Sequence, residues 1–284
     1  MTTKAGDVPE GVFARERQQD IARLIERDGR ARVTDLAIRF GVSAVTIRKD
    51  LLVLEADRKV VRTHGGAIVP QAHRPEPAFD VRERLQRDEK SRIGEAAAAL
   101  VSDGQSIVLD ASTSASYIAR HLRERDSWHF LTVVTNSIRI ALDLAGHPGI
   151  TVLMLGGRVR GEALSVVGPL GDGVFRRVNV QTAFLGAAGF TFENGLTDAM
   201  EEEAQIKRSM VSAAREVIAV VDHTKWGRTA SATFCRTDGL TGVITDDQAP
   251  VEMVDRLIAM GIPVTRVAAT PRAAAPDAAR ETGA

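Results

Sequence analysis

Small hydroxyl residues follow an apolar run near the middle of the chain. The segment reads Asp110-Ala111-Ser112-Thr113-Ser114, and the run before it, Ser106 to Leu109, is typical of a strand. Ser112, Thr113 and Ser114 would then begin a helix, where hydroxyls and free N–H groups form an anion cradle. A phosphate fits such a cradle, and an ordinary capped strand-to-helix turn is the alternative.

Further segments that follow strand-like runs supply a hydroxyl, an amide, bare backbone or a cation. They are Thr135-Asn136, Gly156-Gly157, Gly186-Ala187-Ala188-Gly189 and Lys225, which is preceded by Asp222. Because the carboxyl ends of parallel strands gather at one edge of a sheet, these segments are predicted to form one ligand site with the cradle. Lys225 is the predicted counter-charge for a phosphate, and a solvated surface lysine is the alternative.

A second group of candidate residues lies near the N-terminus. Ser43 is placed to cap a helix whose apolar face carries Ile47, Leu51 and Leu54. The other face presents short and basic side chains that suit the major groove of DNA, namely Ala44, Thr46, Arg48 and Lys49. The turn that follows is predicted to contact the DNA backbone or minor groove through Arg62, His64 and Gly65. A small helical subdomain with a solvated charged face is the alternative.

The elements that would position these N-terminal residues are three helices and a hairpin. Helical spacing predicts helices over Ala14–Asp28, over Val33–Phe40 and after Ser43. Two strands, Val60–Arg62 and Ala67–Val69, flank His64-Gly65-Gly66, whose glycines are expected to supply the positive φ angles of a tight turn. The pattern predicts a winged helix-turn-helix domain.

Beyond the proline-bearing stretch from Pro70 to Pro77, β-rich runs alternate with helical patterns. A charged helix is predicted over Phe79–Arg87. Strands are predicted over Ser106–Leu109, Leu131–Val134, Thr151–Leu155, Thr182–Leu185, Val217–Val221, Gly242–Ile244 and Pro263–Val267. This alternation predicts an α/β domain with a mostly parallel sheet. The expected organisation is a DNA-binding domain (12–69), a linker and connecting helix (70–90), an effector-binding α/β domain (91–267) and a disordered tail (268–284).

The composition is that of a globular protein. The chain has 284 residues, 44% of them hydrophobic and 26% charged, which excludes collagen-like, coiled-coil and wholly disordered classes. A single cysteine, Cys235, excludes an intramolecular disulfide and a cysteine-rich zinc site. No apolar segment approaches the ~18 residues of a membrane span and no signal peptide is visible, so a cytoplasmic protein without membrane contact is expected.

The charges are unevenly distributed along the chain. Basic and acidic residues number 37 each, which gives a formal net charge of zero. Residues 11–69 carry 12 basic and 8 acidic residues, so a basic head precedes an acidic remainder. This asymmetry favours a DNA-reading module joined to another domain over an architectural protein that coats nucleic acid.

Several of these segments resemble one family. Arg17 with Ile21 and Ile25, the run from Ser43 to Leu51, and the run from Arg62 to Ala67 look like the N-terminal signature of DeoR-type bacterial transcription regulators. The resemblance continues in order through Leu109–Ser114, Val134–Ser137, Leu155–Gly157, Val167–Pro169, Phe184–Ala187, Gly195–Thr197 and Asp222–Gly227. An ordered series of motifs is a far more specific signal than any one of them.

The resemblance implies a regulator, expected to be a repressor, that reads double-stranded operator DNA. It also implies a body similar in fold to ribose-5-phosphate isomerase that binds a small phosphorylated, sugar-like effector. Because one small head buries too little surface for tight specific binding, we expect a homo-oligomer, a dimer or a tetramer.

A sugar-phosphate isomerase with an accessory head is the competing interpretation. Such isomerases carry an Asp-Gly-Ala-Asp loop for proton transfer, and the corresponding loop here, Gly186-Ala187-Ala188-Gly189, lacks both acids. Glu203 is predicted to accept hydrogen bonds from a sugar hydroxyl, or to be a solvated helix residue. We therefore expect no catalytic residues, no cofactor and no metal site.

Overall fold

A computed structural model describes residues 10–28, 30–57, 59–63, 65–68, 77–175 and 177–268. The chain divides into two compact units, the head (Met1–Glu76) and the body (Pro77–Ala284). His64, residues 70–76 of the expected linker and the expected tail from residue 269 lie outside the described residues. None of the described helices is long and apolar enough to cross a bilayer.

The head consists of helices and a small antiparallel sheet. Its elements are α1 (Glu10–Asp28), β1 (Arg30–Arg32), α2 (Val33–Phe40), α3 (Ala44–Ala56), β2 (Val61–Thr63) and β3 (Gly66–Ile68). The strands pair in the order β1-β3-β2. The structure confirms α2, the start of α3 and the hairpin. It begins α1 at Glu10 rather than Ala14, and β1 is an addition to the predicted elements.

Gly66, at the start of β3, is required by a close approach rather than by a positive φ. A Cβ atom added to Gly66 would lie 2.0 Å from the carbonyl oxygen of Ala31 in β1. The φ angles of Gly65 and Gly66 both lie outside the left-handed region, so the expectation of positive φ angles at this turn is wrong for both glycines. Glycine is required at this position because the backbone of β1 occupies the space that a side chain of residue 66 would need.

The body is built on a seven-stranded sheet in which every pairing is parallel. Its strands are β4 (Ser106–Leu109), β5 (Leu131–Thr135), β6 (Ile150–Met154), β9 (Val180–Leu185), β12 (Ala214–Val220), β14 (Gly242–Asp246) and β15 (Val264–Val267). They lie in the order β15-β14-β12-β9-β4-β5-β6. The chain builds outward from β4 in both directions, so the topological switch point lies between β4 and β9. The predicted α/β class is confirmed.

Helices cover both faces of this sheet. They are α4 (Phe79–Arg84), α5 (Arg87–Ala99), α6 (Thr113–Arg123), α7 (Ile138–Leu144), α8 (Pro169–Phe175), α9 (Glu201–Ala213) and α10 (Val251–Ala259). Ile107 and Leu109 of β4 belong to the core under α5, α6 and α7, whereas Val108 belongs to the core under α8, α9 and α10. The single helix expected over Phe79–Arg87 is wrong, because the chain breaks at Gln86, whose φ is +48°.

Two small antiparallel sheets complete the body. One is the hairpin of β7 (Arg158–Arg160) and β8 (Ser165–Val167). The other consists of β10 (Gly189–Thr191), β11 (Gly195–Asp198) and β13 (Ala232–Cys235). Both are additions to the predicted elements, and their strands have only three or four residues each.

We expect Gly66→Ala to destabilise the head by ~2–3 kcal/mol, because the added methyl group must displace the backbone of β1. Gly65→Ala is the matched control, since a Cβ atom there meets nothing within 4 Å. Urea unfolding of the full chain measures both. Equal stability of the two variants would contradict the close pairing of β1 with the hairpin.

Candidate ligand site and DNA-reading surface

The candidate DNA-reading residues of α3 lie at its first turns. The Ser43 hydroxyl caps the helix by accepting from the Thr46 N–H at 3.1 Å. Ala44 and Thr46 are half-buried, whereas Arg48 and Lys49 are exposed and pair with no carboxylate in the described part of the head. The helix start therefore offers two unpaired cations to solvent.

An ion pair between the half-buried Arg17 and the buried Asp50 fixes α3 against α1. Arg17 Nε donates to Asp50 Oδ2 at 2.6 Å, and Gln18 Nε2 donates to Asp50 Oδ1 at 3.0 Å. Asp50 is buried on the inner side of α3, directly after Lys49. The contact therefore holds the exposed face of α3 in one orientation, which is what a surface that reads DNA requires.

Arg62 and Gly65 lie at the hairpin as predicted. The Arg62 N–H donates to Glu55 Oε1 at 3.1 Å, and its guanidinium lies 3.7 Å from Glu55 Oε2. An exposed pair of this kind is weak, so the guanidinium remains available to a phosphate. Gly65 is exposed, and His64 lies outside the described residues.

In the body, the residues after β4 form the N-terminus of α6. Ser112 Oγ accepts from the Ala115 N–H at 3.1 Å and so caps the helix. The first-turn N–H groups of Thr113 and Ser114 have no acceptor within the helix, and no other described residue pairs with their hydroxyls. A Cβ atom at Gly186 would lie 2.4 Å from Ser112 Oγ, so glycine lets the end of β9 approach this cradle.

A buried lysine joins the two strand ends at the switch point. Lys207 Nζ lies 3.0 Å from Asp110 Oδ2 and 2.8 Å from Asp198 Oδ2, and it donates to the Gly186 carbonyl at 2.9 Å. The other Asp110 oxygen accepts from the Ser112 N–H at 3.1 Å. Asp110 thus supports the cradle from beneath, with its carboxylate engaged inside the chain.

The charges of this cluster stabilise one another. Burial by itself would lower the pKa of Lys207, but Asp110 and Asp198 outweigh burial and raise that pKa above its ordinary value. Burial likewise opposes ionisation of Asp198, and the Lys207 ammonium overcomes it, so the pKa of Asp198 is lowered. Lys207 is therefore a permanent cation at neutral pH, and Asp198 is a permanent anion.

A second buried network lies past the ends of β5 and β8. Glu203 Oε1 accepts from Arg160 Nη1 at 2.7 Å and from the Ser165 hydroxyl. Glu203 Oε2 accepts from Asn136 Nδ2 at 3.3 Å. The other amide atom, Asn136 Oδ1, is buried and meets no donor in the described part of the chain. Glu203 is therefore not the solvated helix residue of the alternative interpretation.

Thr135, at the end of β5, and Gly156 and Gly157, after β6, lie beside this network. The Thr135 hydroxyl is buried and donates to the Leu109 carbonyl at 2.6 Å. A Cβ atom at Gly157 would lie 2.4 Å from the Val167 carbonyl, so glycine lets the chain pass close to the β7–β8 hairpin. At Gly156 an added Cβ atom meets nothing within 4 Å, which leaves open space at that strand end.

Lys225 lies past the end of β12, in a short 3-10 turn that begins at His223. Its half-exposed ammonium pairs with no carboxylate among the residues described. Asp222 caps the turn with Oδ1 at 3.0 Å from the Thr224 N–H, while its buried Oδ2 meets no donor there. The same strand end therefore presents an unpaired cation and an unsatisfied acceptor.

Lys90, on the first turn of α5, is a site residue that the sequence analysis did not identify. It is buried, and its ammonium donates to the carbonyls of Arg82 and Leu85 at 2.6 Å each. Burial lowers the pKa of Lys90 to about 8, with Asp222 opposing the shift and Lys225 adding to it. Lys90 therefore lies within the electrostatic reach of the residues after β12.

The predicted body residues thus gather at one edge of the sheet, beside three cations that the sequence did not reveal. Lys90, Arg160 and Lys207 all stand in charged segments that read as solvated surface. Only their burial in the folded chain distinguishes them. Within the described residues, no group of three His, Cys, Asp or Glu side chains could hold a metal ion.

Sequence comparison identifies both units. Residues 17–73 match the DeoR-like helix-turn-helix domain, and residues 85–247 match the DeoR C terminal sensor domain. The regulator YulB of Bacillus subtilis is 34% identical, over 89% of this chain and 96% of its own length. The transcriptional repressor GlcR of the same organism is 34% identical, over 86% of this chain and 94% of its own length.

A further relative is the glycerol-3-phosphate regulon repressor of Escherichia coli, 28% identical over 85% of this chain and 94% of its own length. Among solved structures, a ribose 5-phosphate isomerase from Methanocaldococcus jannaschii aligns with 50% of this chain and 55% of its own, at 18% identity and a TM-score of 0.37. The curated relatives named here are transcription regulators, which confirms the expectation of a regulator rather than an enzyme.

We expect Lys207→Met to destabilise the body by ~3–5 kcal/mol, because it leaves Asp110 and Asp198 as buried, uncompensated carboxylates. Lys225→Ala is the matched control and should change stability by less than ~0.5 kcal/mol, since its ammonium has no ion-pair partner. Chemical unfolding followed by circular dichroism measures both. A Lys207→Met variant as stable as the control would mean that the cluster does not hold the strand ends together.

Proposed function

The chain belongs to the DeoR family of transcriptional regulators, and from that premise we propose that its body binds a phosphorylated, polyhydroxyl metabolite that controls operator binding by its head. The binding site is the carboxyl edge of the sheet around the switch point between β4 and β9. The effector occupies the positions where cations, helix N–H groups and buried acceptors have no partner among the described residues.

The anionic part of the effector is assigned to the start of α6. Thr113 and Ser114 offer N–H groups and hydroxyls past the end of β4. Lys225 offers an ammonium, unpaired among the described residues, past the end of β12 at the same edge of the sheet. Lys90 adds positive charge from α5. Phosphate combines the negative charge and the multiple acceptor oxygens that such a donor set requires.

The observation that carries the polyhydroxyl assignment is a pair of buried acceptors without donors. They are Asn136 Oδ1 past β5 and Asp222 Oδ2 past β12. A buried acceptor without a partner is costly, and sugar hydroxyls are donors that would satisfy both. In the sheet order, β12 and β5 are separated by β9 and β4, so the two strands lie about 14 Å apart. An elongated ligand with several hydroxyls suits that span.

The cluster around Glu203 supports a role in selecting the effector. Its carboxylate is neutralised by Arg160 and bonded to Ser165 and Asn136, so it holds the Asn136 amide in place. The name of one relative, the glycerol-3-phosphate regulon repressor, agrees with a phosphorylated polyhydroxyl effector.

The head reads operator DNA through the exposed face of α3. Arg48 and Lys49 supply the cations, the Thr46 methyl is available to thymine, and the hairpin adds Arg62 and Gly65 at the backbone or minor groove. We assign the chain to a homo-oligomer, a dimer or a tetramer, because two heads read two half-sites and double the buried surface. Binding of the effector to the body then releases the operator, which makes the protein a repressor.

Lys225→Ala tests the anion assignment. The variant should bind a phosphorylated effector roughly tenfold to a hundredfold more weakly, because a charge-assisted contact of ~1.5–3 kcal/mol is lost. The buried Trp226 next to it reports binding by fluorescence, with inorganic phosphate, glycerol 3-phosphate and glucose 6-phosphate as the probes. Thr113→Ala should act in the same direction but more weakly, since the helix N–H groups remain.

Arg228→Ala is the matched control for Lys225→Ala, because Arg228 is an exposed cation of the same loop. Its affinity for the probes should equal that of the wild type, and operator binding without effector should survive in all three variants. If Lys225→Ala binds every probe as tightly as the wild type does, the phosphate lies elsewhere.

Arg48→Ala and Lys49→Ala test the DNA-reading face. Loss of a phosphate contact should reduce the dependence of log K on log salt by about one unit, whereas loss of a base contact should cost ~1–3 kcal/mol on the operator and little on random DNA. Fluorescence anisotropy over a salt series measures both. Arg15→Ala, an exposed arginine of α1, is the control. Wild-type operator affinity in both α3 variants would refute the assignment.

A further inference from the structure

Helix α4 is held to the body mainly by polar contacts. It has six residues, too few to be stable alone, and Phe79 is its one described side chain that is buried. Its last carbonyls are satisfied by the Lys90 ammonium, which donates to Arg82 O and Leu85 O at 2.6 Å each. The C-terminal end of α4 is therefore held by Lys90 of α5, while Tyr117 and Arg120 of α6 bind Glu83 of the same helix.

The ammonium that holds α4 lies beside the proposed ligand site. Gln248, which follows β14, donates through Nε2 to Glu89 Oε1 at 3.4 Å and so places this turn of α5 at the carboxyl edge of the sheet, next to the end of β12. Asp222 and Lys225, which follow β12, both act on the charge of Lys90, together with Arg82 and Glu83 of α4 itself. Burial of Lys90 and the positive charge of Lys225 both lower the pKa of Lys90, so both disfavour its charged form in the protein without ligand. An anion beside Lys225 relieves that repulsion and offers Lys90 a stronger acceptor than a neutral carbonyl.

The N-terminal end of α4 is also held by groups close to the site. The Phe79 N–H donates to the Glu162 carbonyl at 2.7 Å, in the loop between β7 and β8. The same hairpin carries Arg160, which is bonded to Glu203. Both ends of α4 are thus held by neighbours of the proposed effector site.

In the sequence, α4 is the first described element after residues 69–76, which lead from the head. We propose that Lys90 is the residue through which an effector is sensed: a bound phosphoryl group draws its ammonium away from Arg82 O and Leu85 O, and the C-terminal end of α4 is released. The inference rests on the effector site proposed above. Control by a ligand requires that the ligand bind two states of the protein with unequal affinity. Here phosphate would bind the state with α4 released more tightly, because only in that state does the Lys90 ammonium contact phosphate.

Hydrogen–deuterium exchange of the full chain tests this coupling, with inorganic phosphate as the probe and Trp226 fluorescence to establish that phosphate has bound. In the wild type, saturating phosphate should speed exchange of the α4 amides about tenfold, while the sheet amides stay protected. In Lys90→Met, α4 should exchange fast without phosphate and should not respond to it. In Lys225→Ala, α4 should exchange slowly at phosphate concentrations that saturate the wild type.

Arg120→Gln is the matched control for a loosened α4. It removes the ion pair of Arg120 with Glu83 of α4, 2.5 Å long, without touching Lys90. Its α4 amides should exchange faster than those of the wild type and should still respond to phosphate by a similar factor. A merely structural role of Lys90 predicts fast exchange in Lys90→Met together with no phosphate response in the wild type or in Arg120→Gln.

The two proposals fail in different ways. If phosphate binds the wild type and α4 exchange does not change, the coupling is overturned and the effector site stands. If neither phosphate nor the phosphorylated probes bind, both proposals fall. If Lys90→Met does not fold, the other three proteins still test the coupling. The α4 amides of the wild type and of Arg120→Gln must then respond to phosphate at concentrations that leave the α4 exchange of Lys225→Ala unchanged.

Discussion

The buried ion cluster of Lys207 is the constraint on which the ligand edge of the body depends. Its ammonium joins Asp110 after β4, Asp198 of β11 and the Gly186 carbonyl after β9. Without this ammonium, the Asp110 and Asp198 carboxylates would lie close together with no cation between them, and the Gly186 carbonyl would lose its donor. One cation from α9 replaces the repulsion between these carboxylates with attraction, and so fixes the positions of the groups at this edge of the sheet.

Helix α9 also places the second polar network of the site. Glu203 lies one turn before Lys207, so the two side chains share a face of the helix and enter the same edge of the sheet. Lys207 supports the phosphate cradle from beneath, and Glu203 holds Arg160, Ser165 and Asn136 at the other side of the crevice. Helix α9 therefore sets the spacing between the two parts of the proposed effector site, the one assigned to phosphate and the one assigned to hydroxyl groups.

The same arrangement suits a sensor domain, because the carboxylates at this edge of the sheet are held by partners inside the chain. Here Asp110 and Asp198 are held by Lys207, Glu203 is held by Arg160, and the loop from Gly186 to Gly189 offers no carboxylate. Side chains held in fixed positions by one another can recognise a ligand and stabilise a conformation, and recognition is the function that a sensor domain requires.

The sequence by itself determined the elements whose periodicity is long and regular. The helices α2 and α3, the seven parallel strands and the polar residues past their ends follow from hydrophobic spacing and from the glycines and caps between elements. Local signals suffice there, because each element forms around its own pattern. The family resemblance identified the function through motifs at those same strand ends.

The tertiary structure decided the features that depend on residues far apart in the chain. Strand β1 exists because the hairpin offers it a partner, and Gly66 is a glycine because β1 lies against it. Lys90 and Lys207 stand in sequences that read as solvated helices, and only the folded chain surrounds them with carbonyls and carboxylates. Burial and partner distance are properties of three-dimensional packing, so no local pattern distinguishes these lysines from the surface lysines that they resemble.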